Sequence, residues 1–228
     1  MTEASGTSSS PEDARAPLEV IDLGRRAYVE AYDLQEERLA ARIRGEVPDG
    51  LLLVEHDPVV TRGRRSREGD TAGVPFPVVD IGRGGEATYH GPGQLVAYSI
   101  IELPEARRDL HRYLRDLEQV VIDALRSLGI EGRREPGKTG VWIGARKVCS
   151  IGVAVRRWVT WHGLALNVTT DLDAFRSFAP CGLDASVMTR VADHIEPGEP
   201  LVLLERARDA VEVAFRAYWR SIAEDGRG

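Results

Sequence analysis

Between Thr139 and Val168 three apolar, β-branched stretches follow one another: Thr139 to Ile143, Lys147 to Val155 and Val159 to Val168. Turns of three residues, Gly144 to Arg146 and Arg156 to Trp158, separate them. Connections that short leave no room for a crossover helix, so consecutive strands must run antiparallel. Elsewhere, Gly50 to His56 is an apolar run closed by Asp57-Pro58, the profile of a buried strand entering a turn, and Phe76 to Ile81 and Leu95 to Ile101 also read as strands. Residues 24 to 44 space Tyr28, Ala31, Leu34, Ala40 and Ile43 as a surface helix does. Residues 109 to 128 set Leu110, Tyr113, Leu114, Leu117, Val120, Val121, Ala124, Leu125 and Leu128 on one face, with Asp109 near the start and Gly129 as the stop. A second amphipathic helix is expected over residues 201 to 222, with Leu203, Val211, Val213, Ala214, Phe215, Tyr218 and Trp219 among its buried residues. Strands and helices mixed in this order predict an α+β fold, a mixed and mostly antiparallel sheet flanked by helices.

Between two of these strands lies Arg83-Gly84-Gly85-Glu86-Ala87-Thr88-Tyr89-His90-Gly91-Pro92-Gly93-Gln94, a loop dense in glycine. Glycine lets main-chain N–H groups approach a ligand closely, and Pro92 limits the loop's flexing. It is not a phosphate-binding fingerprint, lacking both the G-x-G-x-x-G spacing and the lysine-serine ending of a P-loop.

Composition narrows the function. No apolar run approaches the roughly 20 residues needed to span a bilayer, so no membrane insertion is expected. Met1 to Pro17 is polar and reads as a disordered leader ahead of a single domain, residues 18–228. A formal net charge of −6 argues against general nucleic-acid binding. Two cysteines, Cys149 and Cys181, make no disulfide framework and fit a reduced, cytoplasmic setting. Of 30 basic residues 28 are arginine, and the two lysines are Lys138 and Lys147. Where a fixed charge suffices this chain uses arginine, so its lysines are candidates for sites where arginine fails, because lysine can release its proton. Arg62, Arg64, Arg65 and Arg67 crowd one polar loop, either simply solvated or a docking site for an acidic partner. There is no cysteine or histidine cluster with metal spacing, and no metal is expected.

Cys181 stands between Pro180 and Gly182, a setting that can present a nucleophile outward; the alternative is a small buried hydrophobe. Cys149, in mid-strand beside Val148, is expected to pack in the core. His90 and His162 are open to positioning or purely structural roles.

The glycine-rich run resembles the R-G-G-x-x-T-Y-H-G-P-G-Q signature of the octanoyltransferases of bacterial lipoate synthesis. Gly140-Val141-Trp142-Ile143 with Lys147-Val148-Cys149-Ser150-Ile151-Gly152, and Trp161-His162-Gly163-Leu164-Ala165-Leu166-Asn167-Val168 with Pro180-Cys181-Gly182, agree with it. This resemblance covers about residues 18 to 222 and implies the biotin/lipoate protein ligase-like fold. It also implies the chemistry: Cys181 carries an acyl thioester and Lys147, 34 residues upstream, serves as its proton partner. The acyl chain is then expected among Arg83, Gly84, Gly85, Glu86, Ala87, Thr88, Tyr89 and His90, with Ser150, Ile151, Gly152, Gly163, Leu164 and Ala165. Acyl carrier protein is the implied donor; lipoyl domains of 2-oxoacid dehydrogenases and the glycine-cleavage H protein are the implied acceptors. Neither ATP nor another cofactor is expected. An ATP-using lipoate or biotin ligase of similar fold is the main rival, but such ligases need no cysteine nucleophile. A non-catalytic acyl- or carrier-binding module is the third reading.

Overall fold

The computed structural model describes residues 16–178 and 184–225. The expected leader, Met1 to Pro17, lies outside the described residues but for its last two. Along the chain run β1 (Glu19–Arg26), α1 (Tyr28–Ile43), β2 (Gly50–His56), β3 (Val59–Arg62), β4 (Val78–Asp80), β5 (Thr88–His90), β6 (Gln94–Ile100), α2 (Leu110–Ser127), β7 (Arg133–Glu135), β8 (Lys138–Ile143), β9 (Arg146–Arg156), β10 (Val159–Asn167) and α3 (Pro200–Asp225). A seven-stranded sheet has the order β1-β2-β6-β10-β9-β8-β7, and a three-stranded sheet the order β4-β3-β5. In the large sheet β1 pairs parallel to β2 and the remaining neighbours are antiparallel. The short turns expected from the sequence close the β8-β9-β10 meander, each shortened to two residues, 144–145 and 157–158, because Arg146 and Arg156 join the strand ladder.

Both faces of the large sheet are covered, which is why its central strands read as unbroken apolar runs rather than alternating ones. Leu51, Leu53, Leu95 and Ala97 face α2 and α3, burying Leu117, Val121, Leu125, Val211 and Phe215. The intervening Leu52, Val54, Val96, Tyr98 and Ile100 face α1, with Ala31 and Leu39. Helix α2 starts where Asp109 accepts N–H bonds from His111 and Arg112 at 2.8 and 3.1 Å, satisfying donors that a helix start leaves open.

Some expectations need correction. Residues 24 to 26 belong to β1, and the helix begins only at Tyr28. β1 is a charged, largely exposed edge strand with a register shift between Asp22 and Arg25, so it carries no alternating signal. α1 buries Tyr28, Ala31, Gln35 and Leu39, while Leu34, Ala40 and Ile43 are half-buried. Val213 and Leu110 are exposed on α3 and α2. The short strands β3, β5 and β7 were not expected.

The small sheet is bound to the large one through the glycine-rich loop. Gly84 N–H donates to Val153 O on β9 at 3.1 Å, and Arg64 and Arg65 N–H donate to Arg83 O and Gly85 O at 3.1 and 3.0 Å.

Candidate active site

A cavity of about 230 Å³ opens where the glycine-rich loop meets β9 and β10. Its wall includes Arg83, Gly85, Glu86, Thr88, His90, Lys147, Ser150, Ile151, Gly152, Gly163, Leu164 and Ala165. Residues named from three separate stretches of sequence therefore share one space. Gly84, Ala87 and Tyr89 do not join them. Strand alternation explains two of these: Thr88 and His90 face the cavity, while Ala87 and Tyr89 turn into a separate cluster with Val60, Phe175, Phe178 and Met188. Gly84 spends its N–H on β9.

Arg83 is 8% exposed, and its guanidinium ties its own loop to Thr61 of β3. Nη1 donates to Gly84 O and Glu86 O at 3.0 and 2.8 Å, and Nη2 to Thr61 O and Oγ1 at 3.2 and 3.0 Å. A planar fork of five donors can curl a loop around itself in this way, where an ammonium could not. Gly152 lets the loop come close, since a Cβ there would lie 2.9 Å from Arg83 Cδ.

Lys147 is 4% exposed near the start of β9. Its carbonyl accepts from Thr189 N–H at 2.9 Å, and it forms a bridge with Met188. Beside its side chain lies Gly140, at φ +124°, where a Cβ would stand 2.6 Å from Lys147 Cε and 2.5 Å from Cys149 O. A register shift between Val141 and Trp142 adjusts the β8–β9 pairing next to this contact. Gly140 N–H donates at 3.0 Å to Glu118, a fully buried carboxylate on α2 that also pairs with Arg115 and Arg134.

A buried chain of hydrogen bonds joins the glycine-rich loop to the segment after residue 183. Gln94 Nε2 donates to Tyr89 O and to Asn167 Oδ1 at 3.1 and 2.9 Å, so Gln94 Oε1 must accept from His90 Nδ1 at 2.7 Å. His90 is therefore the Nδ1–H tautomer. Its Nε2 faces Thr61 Oγ1 at 3.4 Å, and Asn167 Nδ2 donates to Thr189 O at 3.0 Å. Every donor points the same way, from Arg83 through Thr61, His90, Gln94 and Asn167 to Thr189. Burial, the neighbouring His56 and Arg83 push the His90 pKa down to about 3, so the ring stays neutral as this chain of bonds requires. His56 is held at about 4, chiefly by burial, and accepts from Tyr98 Oη at 2.7 Å.

Cys181 and its Pro180 and Gly182 neighbours lie outside the described residues. Cys149 is buried in the core, as its mid-strand place led one to expect. Sequence reading missed Tyr28, Val96, Tyr98 and Arg65 as cavity residues, and named Lys138 only through lysine's rarity. That rarity was the useful signal: both lysines of the chain line the cavity. Among the described residues no group of three or more His, Cys, Asp or Glu is placed to hold a metal, and no helix is long and apolar enough to cross a membrane.

Among solved structures, a bipartite lipoate protein ligase from Thermoplasma acidophilum superposes with a TM-score of 0.71 at 18% identity, covering 92% of this chain and 91% of that one. A biotin protein ligase from Aquifex aeolicus gives 0.51 at 14%, covering 89% and 72%. These likenesses show the fold, the one the sequence led us to expect. The sequence matches the lipoyl protein ligase A/B catalytic domain over residues 27–216. It is 46% identical over 201 residues to an octanoyltransferase of Geobacter sulfurreducens, spanning 87% of this chain and 83% of that one. Against an octanoyltransferase of Rubrobacter xylanophilus it is 47% identical over 205 residues, spanning 86% and 92%. With relatives this similar over most of both lengths, and a family model matched over residues 27–216, the chain belongs to the octanoyltransferases.

Proposed function

We propose that this chain moves an octanoyl group from the phosphopantetheine thiol of acyl carrier protein to the lysine amine of a lipoyl domain, in two steps through Cys181. The observation that carries this reading is a buried lysine, Lys147, on the wall of the cavity that collects the glycine-rich loop and both strand motifs. A cysteine thiol with an ordinary pKa near about 8.5 is mostly protonated at neutral pH and needs a proton partner. In the first step Lys147 takes the Cys181 proton and the thiolate attacks the thioester carbonyl. The new S–C bond forms as the old one breaks, and Lys147 returns the proton to the departing pantetheine thiolate. In the second, the acceptor amine attacks the acyl-enzyme, an N–C amide bond replaces the S–C bond, and Lys147 passes the amine's surplus proton to the Cys181 thiolate. The energy of the thioester drives both steps, so neither ATP nor a metal is required. Acceptors are the lipoyl domains of 2-oxoacid dehydrogenases and the glycine-cleavage H protein, and the setting is the cytoplasm, where thiols stay reduced.

Attachment of Met188 and Thr189 to Lys147 supports this reading, because the chain leaving residue 183 is fastened to the lysine itself. Intact mass after mixing with octanoyl carrier protein should show one octanoyl adduct, absent in Cys181→Ser and retained in Cys149→Ser. Activity that instead needs free octanoate and ATP would make the chain a ligase.

A further inference from the structure

His162 has a backbone that strands do not ordinarily permit, with φ at +60°. On either side of it along β10, Thr160 bonds to Tyr113 of α2, and Leu164 packs in the core beneath α2 and α3. Simple alternation would send His162 into that same layer. The left-handed turn brings its ring to the α1 side instead, stacked on Trp161 at 4.1 Å and 6.0 Å from Tyr32. Gln35 of α1 secures the departure by accepting the His162 N–H at 3.1 Å. Strain of this kind survives only where the surroundings hold it, and it gathers at sites that bind ligands.

The ring it positions lines the cavity, is 2% exposed, and has no protein partner for either nitrogen. A buried donor and a buried acceptor, both left open, are costly unless something polar enters to meet them. Burial, with Arg83 and Arg64 nearby, holds this imidazole neutral, its pKa at about 3. It therefore offers one N–H and one lone pair, the complement of a water or a hydroxyl.

Strand β9 measures the distance from the reacting end. His162 pairs with Val153, six residues along the strand from Lys147, which is about 20 Å at about 3.3 Å per residue. Seven C–C bonds of about 1.5 Å carry an extended octanoyl chain roughly 9 Å. The Lys147 side chain lies across β9, against Gly140 of β8, and the thioester takes up part of the remainder, so the terminal methyl of an eight-carbon chain stops short of the imidazole. Taking the acyl-transfer reading above as its basis, we propose that His162 is the chain-length determinant: it closes the acyl tunnel with a polar, hydrated end. A longer alkyl chain must strip the water from both ring nitrogens and give nothing back.

The test compares acyl carrier thioesters of equal length that differ only at the tip. With the wild-type chain, kcat/KM should drop about tenfold or more from octanoyl to nonanoyl, while 8-hydroxyoctanoyl, whose hydroxyl can meet the ring, should be clearly preferred to nonanoyl. His162→Leu removes the polarity at similar volume and should raise the decanoyl-to-octanoyl ratio about tenfold, abolishing the hydroxyl preference. His162→Asn is smaller but polar and suits a left-handed backbone, so it should retain discrimination against decanoyl. Nonanoyl matching or beating 8-hydroxyoctanoyl on the wild-type chain overturns the proposal, even if neither variant folds. So does a larger decanoyl gain in His162→Asn than in His162→Leu, which would make length a matter of space alone. Failure to transfer octanoyl at all would instead overturn the acyl-transfer reading, and this inference with it.

Discussion

The proposed mechanism leaves Lys147 one of two roles, a fixed charge for the Cys181 thiolate or a carrier of its proton. Lys147→Arg keeps the charge but cannot release a proton, so the thiolate should still react with iodoacetamide at neutral pH while transfer falls roughly 10²- to 10⁴-fold. Near-normal transfer in single-turnover measurements would reduce Lys147 to an electrostatic partner. Gly140 sets where that lysine lies. In Gly140→Ala the methyl would press on Lys147 Cε and Cys149 O from a backbone at φ +124°, costing about 1–3 kcal/mol of strain. Turnover should fall more than carrier affinity, as kcat and KM measured separately will show. The three buried histidines give a pH signature. His56, His90 and His162 are neutral when folded, with pKa values lowered to about 4, 3 and 3 from an ordinary 6.5. Below 6.5 the unfolded chain binds protons that the folded one refuses. Their contribution to stability is thus complete above pH 6.5 and is lost as pH falls toward 3 to 4, each histidine costing about 1.4 kcal/mol per pH unit. Denaturation midpoints flat between pH 7 and 4.5 would contradict this.

At the scale of elements, the site depends on ties between pieces distant in sequence. Asn167, at the end of β10, donates to Thr189 O, and Thr189 N–H in turn reaches Lys147 O. Asn167→Asp would set an oxygen against that carbonyl, costing about 1–3 kcal/mol or more and loosening residues 184–190 from the lysine. Transfer should fall at least about tenfold, with faster hydrogen exchange at the Thr189 amide as the accompanying sign. Glu118 ties α2 to β8 through the Gly140 N–H. Glu118→Ala leaves that donor unpaired in the interior and should cost about 3 kcal/mol in chemical denaturation, whereas Glu118→Gln retains an acceptor and should cost less. Neither tie is visible in the sequence, where Glu118 is one charge among many in a charged helix.

Across the whole molecule, a chain of net charge −6 places exposed Arg64, Arg65 and Arg67 together, with Arg65 on the cavity wall. Arg62, expected to act with them, is instead held in a two-bond pair with Asp80 at 2.7 Å per bond. Replacing Arg64, Arg65 and Arg67 by Ser should raise KM for octanoyl carrier protein, with the difference shrinking in high salt, and leave octanoyl-CoA turnover intact. Equal losses on both substrates would dismiss the loop as a docking site.

What the sequence determined by itself was local. Short turns imposed antiparallel pairing on β8, β9 and β10, Asp109 and Gly129 bounded α2, and the rarity of lysine singled out Lys147. Short-range sterics and side-chain chemistry act within a few residues, so such features can be read in order along the chain. The tertiary structure decided which residues of the motifs line the cavity. Ala87 and Tyr89 belong to the same signature as Thr88 and His90, yet alternation in a strand of three residues sends them to another cluster. His162 reaches the cavity only because Gln35, 127 positions earlier, holds its backbone against that alternation. Contacts at such separations arise from packing, and no local pattern encodes them.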